Sequence, residues 1–247
     1  MSEASDRALK WDALLNARDL GGIPSAHGPI AKRAIVRSDA LYRLNDAGRR
    51  ALLDYGVRTV IDMRTPAEVT ANPYIFDAET GVVQHSIPQQ TDAMWQSLGG
   101  KADRVTFDVT MLELGRSRFA RIATAIAEAP HGGVLIHCEV GKDRTGLMTM
   151  VLLDLVGAPA DVIAADYALT AAGLTGLFAA LIAKAETDER RKRLAEEALC
   201  RAEVMAAIHS AFRARYGDAE AYLKGGGASD AVVDAVRRRM LGASPAT

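Results

Sequence analysis

The sequence predicts an α/β fold with a central, mainly parallel sheet flanked by helices and a helical C-terminal appendage. In the first 170 residues, short runs rich in β-branched residues alternate with longer segments of helical periodicity. This order is typical of parallel sheets. Residues 134–137 form a continuous apolar run, as expected of a strand that is buried on both faces. From residue 171 onward the sequence contains only helical patterns.

The body of the fold is expected to span residues 1–170. Strands are predicted at 33–37, 57–62, 82–87 and 134–137. Helices are predicted at 46–55, 103–129, 144–156 and 160–169. The first helix has the clearest limits, because Asn45 and Asp46 form a start signal and Gly56 forms a stop signal.

Residues 171–247 are expected to form an appendage of the same domain. An apolar stripe recurs there at steps of three and four residues, at Ala198, Ala202, Met205, Ile208 and Phe212. Residues 186–193 are dense in charges of both signs, so we expect them to be solvated. Three glycines at 225–227 precede a final helix predicted at 230–241.

Composition limits the classes of protein that the chain could belong to. The formal net charge is -1, so nucleic acid is not expected as a partner and any attraction to phosphate must be local. Cys138 and Cys200 cannot form a disulfide framework, which suits a reducing compartment. The apolar run at 147–156 contains Asp154 and is too short to span a bilayer. With mixed charges in its first ten residues, the chain is expected in the cytoplasm, and signal-independent export stays open.

The most informative segment is 137–146, with the sequence HCEVGKDRTG, between a predicted buried strand and a predicted helix. A loop that enters a helix presents unpaired backbone N–H groups and the positive end of the helix dipole, and so favours anions. Five residues separate Cys138 from Arg144. This spacing places the sulfur beneath a phosphorus atom while the guanidinium binds two phosphate oxygens. Gly141 suits a tight turn, and Thr145 offers a hydroxyl to the sulfur.

The surroundings of Cys138 are predicted to favour its thiolate. A free cysteine titrates at about 8.5, and helix N-termini and neighbouring cations lower this value. The loop amides, Arg144 and His137 are expected to act in this direction. The thiolate would attack phosphorus in line, and water would then hydrolyse the cysteinyl-phosphate. No metal or other cofactor is expected, because the loop amides and Arg144 neutralise the transferred group and no ligand spacing relates His27, His85, His131 and His209.

Cys138 by itself would be interpreted as a small buried hydrophobic residue, which is the fate of most free cysteines. The interpretation changes with its neighbours. Histidine, glycine, arginine and threonine stand at fitting offsets between a strand and a helix, and this combination favours a catalytic cysteine.

The loop resembles the signature of cysteine-based phosphatases, and its GKDRTG form resembles the bacterial tyrosine phosphatases of the MptpB type. The likeness extends to 16–22 (NARDLGG), 37–44 (RSDALYRL), 56–69 (GVRTVIDMRTPAEV) and 216–223 (YGDAEAYL). It implies a protein-tyrosine phosphatase with Cys138 as nucleophile, acting on phosphotyrosine and often on phosphoserine or phosphoinositides. It also implies a helical lid at 171–202. By the same resemblance the phosphate loop comprises Glu139, Val140, Gly141, Lys142, Asp143 and Arg144.

Glu139 departs from the family pattern, because a carboxylate pointing into the loop would repel a dianionic substrate. We expect its side chain to point away and to be paired. Lys142, at the mouth of the loop by resemblance, is interpreted as a charge that steers substrate, with simple solvation as the alternative. Lys142 supports phosphoinositide hydrolysis, whereas Glu139 argues against it.

A general acid must protonate the leaving oxygen. Asp143 is the first candidate because the loop itself holds it near the substrate. Asp62 at the end of a strand and Asp92 after Pro88 are the alternatives. Asp143 could instead only brace Lys142, and Asp62 could cap a turn or pair with Arg64.

Other residues have simpler interpretations. Arg64 and Glu68 are expected to form an ion pair that fixes a strand-to-helix turn. Cys200 is predicted in a helix and unpaired. The cluster of Asn16, Arg18 and Asp19 is expected to anchor the N-terminus by hydrogen bonds.

The sequence therefore predicts a tyrosine or dual-specificity phosphatase, with a phosphoinositide phosphatase as the alternative enzyme. A pseudoenzyme that binds phosphorylated partners without turnover is less favoured, because binding alone does not require the thiol. A sulfur or arsenate transferase also uses a loop cysteine, but the run of residues 141–146 fits a phosphatase better. Oligomeric state is not predicted.

Overall fold

A five-stranded sheet in the order β1-β2-β5-β3-β4 forms the centre of the computed structural model, which describes residues 6–74, 76–91, 94 and 103–242. The strands are β1 Arg18–Asp19, β2 Ile35–Ser38, β3 Val57–Asp62, β4 Val83–Ser86 and β5 Gly133–His137. Strands β2, β5, β3 and β4 run parallel, and β1 pairs antiparallel with β2. The predicted α/β fold with a mainly parallel sheet is confirmed.

Alternate residues of the central strands point to opposite faces of the sheet, and each face has its own apolar core. In β5, Val134 and Ile136 belong to the larger core and Leu135 belongs to the smaller one. All five residues of β5 are buried, as the continuous apolar run predicts. The strand that precedes the phosphate loop is therefore fixed by packing on both sides.

Helices surround the sheet. Their bounds in the described residues are α1 Asp46–Tyr55, α2 Pro66–Ala71, α3 Arg104–Glu128, α4 Asp143–Leu155, α5 Ala160–Ala168, α6 Thr170–Ala183, α7 Asp188–Ala198, α8 Ala202–Tyr216, α9 Ala219–Gly225 and α10 Asp230–Leu241. The Asn45 side chain caps α1 by accepting from Gly48 N, and Gly56 ends it at φ 95. The strands and helices predicted in the body are confirmed, with ends that differ by at most two residues. Strand β1 and helix α2 are too short to give a periodic signal.

The C-terminal helices α8, α9 and α10 pack against the body of the fold. They contact α3, α4 and α5, and their side chains Met205, Phe212 and Tyr222 lie in the larger core. The predicted apolar stripe is shared by two helices, since α7 ends at Ala198 and α8 begins at Ala202. The prediction that Cys200 lies in a helix is wrong. Cys200 lies in the connection between α7 and α8, where an extended turn buries its side chain in the larger core.

The segment Ala160–Ala183 is long and apolar enough to cross a membrane by length and composition alone, and 39% of its most apolar stretch is buried inside the fold. In the structure it forms two helices rather than one. Helix α5 packs against α4 and α8, and α6 packs against α7. Part of the apolar surface of the segment is thus covered within the fold, whereas Leu181 is exposed.

Candidate active site

Three parallel strands end at one edge of the sheet, and the predicted phosphate loop lies there. Ser38 of β2 and Asp62 of β3 both pair in register with His137, the last residue of β5. Residues 138–142 then connect β5 to α4, which begins at Asp143. Open α/β sheets bind ligands at the carboxyl ends of their strands, so this edge suits a binding site.

The carbonyl groups and the N–H groups of this loop are used differently. The carbonyl oxygens all accept hydrogen bonds. Asn16 Nδ2 donates to Val140 O (3.2 Å) and to Gly141 O (3.0 Å), and Arg37 Nη2 also donates to Gly141 O (2.9 Å). Backbone N–H groups serve the other two, with Ala40 N donating to Glu139 O (3.0 Å) and Gly146 N to Lys142 O (2.8 Å). The N–H groups of residues 139–142 have no acceptor within the described part of the chain. Unpaired N–H groups at a helix N-terminus form an anion-binding concavity.

Gly141 lets the loop pass close to β2. Its φ is 67, in the left-handed region, and an added Cβ would lie 2.4 Å from the carbonyl oxygen of Ser38. Any side chain at this position would collide with backbone that does not move easily. The loop therefore requires the glycine that its sequence supplies.

Cys138 follows β5 directly and is 2% exposed. His137 Nδ1 lies 3.1 Å from the carbonyl oxygen of Cys138. Because a carbonyl can only accept, Nδ1 carries the proton of this ring. Burial lowers the pKa of His137, so its imidazole is neutral near pH 7. His137 therefore orients the backbone at Cys138 instead of supplying the positive charge that the sequence suggested.

Glu68 holds the guanidinium of Arg144 through two parallel hydrogen bonds. Arg144 Nη1 lies 2.6 Å from Oε2, and Nη2 lies 2.7 Å from Oε1. Burial alone would raise the pKa of Glu68, but the hydrogen bonds and charge of Arg144 outweigh it and hold the value at about 2. Arg144 Nε has no acceptor among the described residues. One edge of the fork is thus occupied, and the Nε edge remains for a phosphate.

The expected ion pair between Arg64 and Glu68 is wrong. Arg64 instead binds Asp62, through Nε at 3.0 Å and Nη2 at 2.8 Å. The reason is a capping box at the start of α2, in which the Glu68 carboxylate accepts from Thr65 N at 2.7 Å. This bond draws the carboxylate back to the first turn of the helix, where it meets Arg144.

Asp143, the first candidate for the general acid, lies among three donors. Its Oδ1 is 2.7 Å from Arg104 Nη2, 3.5 Å from Lys142 Nζ and 3.4 Å from the Tyr167 hydroxyl. Arg104 also binds Asp108 through two hydrogen bonds of 2.7 and 2.8 Å. Burial raises the pKa of Asp108 to about 7, although the charge of Arg104 opposes this. The main contact of Asp143 is therefore Arg104 and not Lys142.

Of the two alternative candidates for the general acid, the structure describes Asp62 but not Asp92. Asp62 is paired with Arg64, as one interpretation of the sequence expected, and its Oδ1 lies 3.8 Å from His137 Nε2. Asp92 lies outside the described residues. Asp143 thus differs from Asp62 in being part of the loop itself and in having a side chain that is 30% exposed.

The Glu139 carboxylate is surrounded by three hydrogen-bond donors or cations. It accepts from the Tyr42 hydroxyl at 2.6 Å and lies 3.4 Å from Arg43 and 3.8 Å from Arg64. The carboxylate is therefore paired, as expected. Its charge is compensated by two arginines.

A buried cluster of charges supports the loop from the side of β2. Arg37, which donates to Gly141 O, also binds Asp166 at 2.8 Å. Asp166 accepts from Arg18 and from Arg7 as well. The charges of these arginines hold the pKa of Asp166 well below its usual range, although burial alone would raise it. Burial lowers the pKa of Arg37 to about 10.

The sequence missed part of what the Asn16–Arg18–Asp19 cluster does. Asp19 anchors local backbone as expected, accepting from Gly21 N and Arg33 N. Asn16, however, donates to the phosphate loop, and Arg18 joins the Asp166 cluster. One signal could have pointed to this support, because Arg37 is the last residue of a predicted apolar strand and a buried cation needs a partner.

Two contacts connect the loop to the α6–α7 helical hairpin. Val140 packs against an apolar cluster that contains Leu174, Phe178 and Leu194. Lys142 Nζ donates to the carbonyl oxygen of Glu197 at 2.5 Å. The predicted lid segment, 171–202, therefore lies against the loop.

Neither a metal centre nor a disulfide is formed by the residues described. Among them, no group of three or more histidine, cysteine, aspartate or glutamate side chains is arranged to hold a metal ion. Cys138 and Cys200 are both free thiols. Burial raises the pKa of Cys200, so its reactivity is low.

Comparisons with known proteins match the chain to one protein family. A family model described as the tyrosine phosphatase family matches residues 9–242. A tyrosine-protein phosphatase of Nostoc commune is 31% identical over 233 residues, covering 85% of this chain and 75% of the relative. The triple specificity protein phosphatase PtpB of Mycobacterium tuberculosis is 28% identical over 272 residues, covering 92% of this chain and 96% of the relative. The range matched by the family model spans every strand and helix described above and is not confined to the loop.

Proposed function

The chain belongs to the tyrosine phosphatase family, and we propose that it hydrolyses phosphotyrosine, with dual specificity, through a cysteinyl-phosphate intermediate on Cys138. One observation carries the proposal. The carbonyl groups of the loop are bonded to the surrounding structure, while the N–H groups of 139–142 are unpaired beside a buried thiol and Arg144. A tetrahedral oxyanion supplies the acceptors that these N–H groups lack. The similarity to a relative named as a triple specificity phosphatase supports more than one class of substrate.

In the first step, the Cys138 thiolate attacks phosphorus in line. The S–P bond forms, the P–O bond to the tyrosine oxygen breaks, and the leaving oxygen takes a proton from Asp143. In the second step, the Asp143 carboxylate removes a proton from water. The water oxygen attacks phosphorus, the S–P bond breaks, and inorganic phosphate leaves with the thiolate restored.

The loop amides and Arg144 stabilise the charge that spreads over the equatorial oxygens of the transferred group. Arg144 approaches the phosphate through its Nε edge, because Glu68 occupies the other. Thr145 Oγ1 is buried and has no partner among the described residues, so its hydroxyl is available to the sulfur or to the phosphate.

Phosphoproteins are favoured over phosphoinositides as substrates. A multiply phosphorylated headgroup needs cations beyond those that bind the reacting phosphate. Lys142, the lysine of the loop, is buried and bound to the Glu197 carbonyl and to Asp143. Arg43 and Arg64 are engaged by carboxylates. Phosphoinositide hydrolysis remains the second candidate because release of Lys142 by lid opening would place a free cation beside the loop.

The test compares wild type with Cys138→Ser, without added metal, on p-nitrophenyl phosphate, a phosphotyrosine peptide, a phosphoserine peptide and a soluble phosphoinositide. Cys200→Ser is the matched control. We expect Cys138→Ser to be inactive on all four substrates and Cys200→Ser to retain activity. The ranking of the phosphotyrosine peptide against the phosphoinositide decides between protein and lipid. A wild type that binds phosphopeptide but turns over none of the four substrates would indicate a pseudoenzyme.

We also propose a cytoplasmic location. Both cysteines are free thiols, and a thiol nucleophile stays reduced in the cytoplasm. Cell fractionation with an antibody to the chain tests this. Recovery of the protein mainly from the culture medium of intact cells would contradict it.

A further inference from the structure

A second concave surface lies at the edge of the sheet opposite to the phosphate loop. It is a cavity of about 700 Å³, bordered by Ala34 before β2, Gly56 before β3 and Gly133 at the start of β5. Because these strands are parallel, the cavity and the loop are separated by the length of β5, roughly 13 Å. We call it the basal pocket. Its volume lies within the range of small-molecule sites.

The walls of the basal pocket are cationic. Lys32, Arg33, Arg238 and Arg239 line it together with His131, and no aspartate or glutamate among the described residues lines it. The chain as a whole carries a formal charge of -1. Four basic side chains around one cavity are therefore a local concentration of charge and do not reflect the composition of the chain.

Capping of helix ends accounts for only part of this charge. Helices α1, α3 and α10 end near the pocket, and cations favour the C-terminal ends of helices. Arg239 serves this purpose, since it donates to the carbonyl oxygens of Gly132, Ala129 and Pro130. Burial without a carboxylate partner lowers the pKa of Arg239.

The other three cations are not explained by capping. Lys32 and Arg238 have neither a carboxylate nor a carbonyl partner among the described residues. Arg33 lies over the Tyr55 ring, 5.1 Å from its centroid. Its φ is 67, a conformation that non-glycine residues rarely adopt, and its N–H is fixed by Asp19 Oδ2 at 2.7 Å. The backbone thus holds an arginine in an unfavourable conformation at the rim of the pocket.

We propose that the basal pocket is a second anion-binding site, which takes a ligand that carries two or more phosphate groups. Lys32 and Arg238, together with the neighbouring Arg33 and Arg239, supply more positive charge than a single phosphate needs, and small side chains such as Ala31, Ala127 and Ala235 leave the cavity open. The ligand is a free polyphosphate or the phosphorylated headgroup of a lipid, since both present the same chemistry to guanidinium groups. The site is independent of hydrolysis at Cys138.

The test uses the full chain carrying Arg144→Ala, so that the phosphate loop neither hydrolyses the probe nor dominates its binding. Lys32→Gln with Arg238→Gln removes two charges from the pocket. Arg50→Gln with Arg121→Gln removes two charges from exposed helix positions elsewhere and is the matched control. Inorganic triphosphate is titrated by calorimetry, and phosphatidylcholine vesicles with and without phosphatidylinositol 4-phosphate are tested by cosedimentation. Thermal unfolding checks that each variant is folded.

We expect the pocket variant to bind at least tenfold more weakly than its parent and the control variant to bind within about twofold, with affinity falling as salt rises. Binding of soluble triphosphate identifies a free polyphosphate, and binding of the phosphoinositide vesicles alone identifies a lipid headgroup. The proposal is overturned if neither probe binds the parent at physiological salt. It is also overturned if the pocket and control variants lose affinity equally.

Discussion

At the residue scale, the proton in the proposed mechanism is carried by Asp143, whose carboxylate lies 2.7 Å from Arg104. Arg104 is held in turn by the buried Asp108. The carboxylate of Asp143 is thus fixed in position by a group from α3. General acids contribute most when the leaving group is a poor one, so substrate choice isolates this role.

We predict that Asp143→Asn lowers kcat/KM for phenyl phosphate, which reports only the first step, by roughly 10²- to 10⁴-fold, the usual contribution of a general acid. The loss for dinitrophenyl phosphate, whose leaving group needs no proton, should be much smaller. Steady-state kinetics on the two esters measures the difference. Asp62→Asn is the control, because Asp62 is paired with Arg64. Equal losses on both esters for Asp143→Asn, or a leaving-group effect in Asp62→Asn, would remove Asp143 from the role.

Glu68 is a positioning residue for Arg144. We predict that Glu68→Gln lowers kcat about tenfold, about 1.4 kcal/mol, because one of two charge-assisted hydrogen bonds that orient the guanidinium is lost. Both kcat and KM for p-nitrophenyl phosphate are measured for the variant and for wild type. Glu79→Gln, at an exposed position, is the control. If Glu68 only competed with phosphate for Arg144, KM would fall and kcat would not.

At the scale of elements, the α6–α7 hairpin contacts the loop at Val140 and Lys142. Leu194 of α7 is 3% exposed and packs in the cluster that contains Val140. A buried Leu→Ala substitution costs about 2–5 kcal/mol. Because Leu194 packs in a local cluster, we expect this loss to weaken the contact between the hairpin and the loop. The hairpin would then separate from the loop more often, while the body of the fold stays folded.

We predict that Leu194→Ala increases the rate of Cys138 alkylation by iodoacetamide at least tenfold and raises kcat/KM for a phosphotyrosine peptide. Leu199→Ala, at a side chain that is 42% exposed, is the control and should change neither rate by more than about twofold. Tryptic cleavage after the exposed Lys184, between α6 and α7, gives an independent measurement. If cleaved protein turns over p-nitrophenyl phosphate at an unchanged rate, the hairpin does not gate the site.

Elements with a long periodic pattern could be predicted from the sequence, and short ones could not. Strand β5, helix α1 and helix α3 have either a continuous apolar run or capping residues, and their bounds follow from these. Helix α2 has six residues, and its start is set by the Thr65–Glu68 capping box. The sequence shows both residues but not that the carboxylate also meets Arg144, because that contact joins positions 68 and 144.

At the scale of the whole molecule, the same limit explains which site residues were found. Cys138, Gly141 and Arg144 lie in one loop, so their spacing alone predicts their arrangement. Arg37 and Asp166 are separated by 129 positions and meet only in the folded chain, where Asp166 of α5 lies against Arg37 of β2. Spacing in the sequence predicts how residues of one loop are arranged. Contacts between the loop and distant segments depend on how the whole chain folds, which spacing does not show.

Asp166 is the point at which distant parts of the fold are joined. It lies on α5, and its carboxylate is 2.9 Å from Arg7, 3.2 Å from Arg18 and 2.8 Å from Arg37. We predict that Asp166→Asn lowers the free energy of unfolding at pH 7 by about 3–5 kcal/mol, because it leaves three arginines with an uncompensated charge in a buried site. Activity should fall as well, since Arg37 also bonds to the phosphate loop. Urea denaturation and p-nitrophenyl phosphate turnover measure the two effects.

The pH dependence of this loss has a definite sign. The pKa of Asp166 is lower in the folded chain than in the unfolded one, because the arginine charges outweigh burial. A depressed carboxyl pKa stabilises the fold fully above the unfolded value, about 3.9, and this stabilisation is lost as the pH falls below it. The difference in stability between wild type and Asp166→Asn should therefore be constant from pH 7 to pH 5 and shrink below pH 4. Asp161→Asn, exposed on the same helix, should show no such difference. A gap between wild type and Asp166→Asn that stays constant down to pH 2 would mean that the Asp166 charge is not what joins β1, β2 and α5.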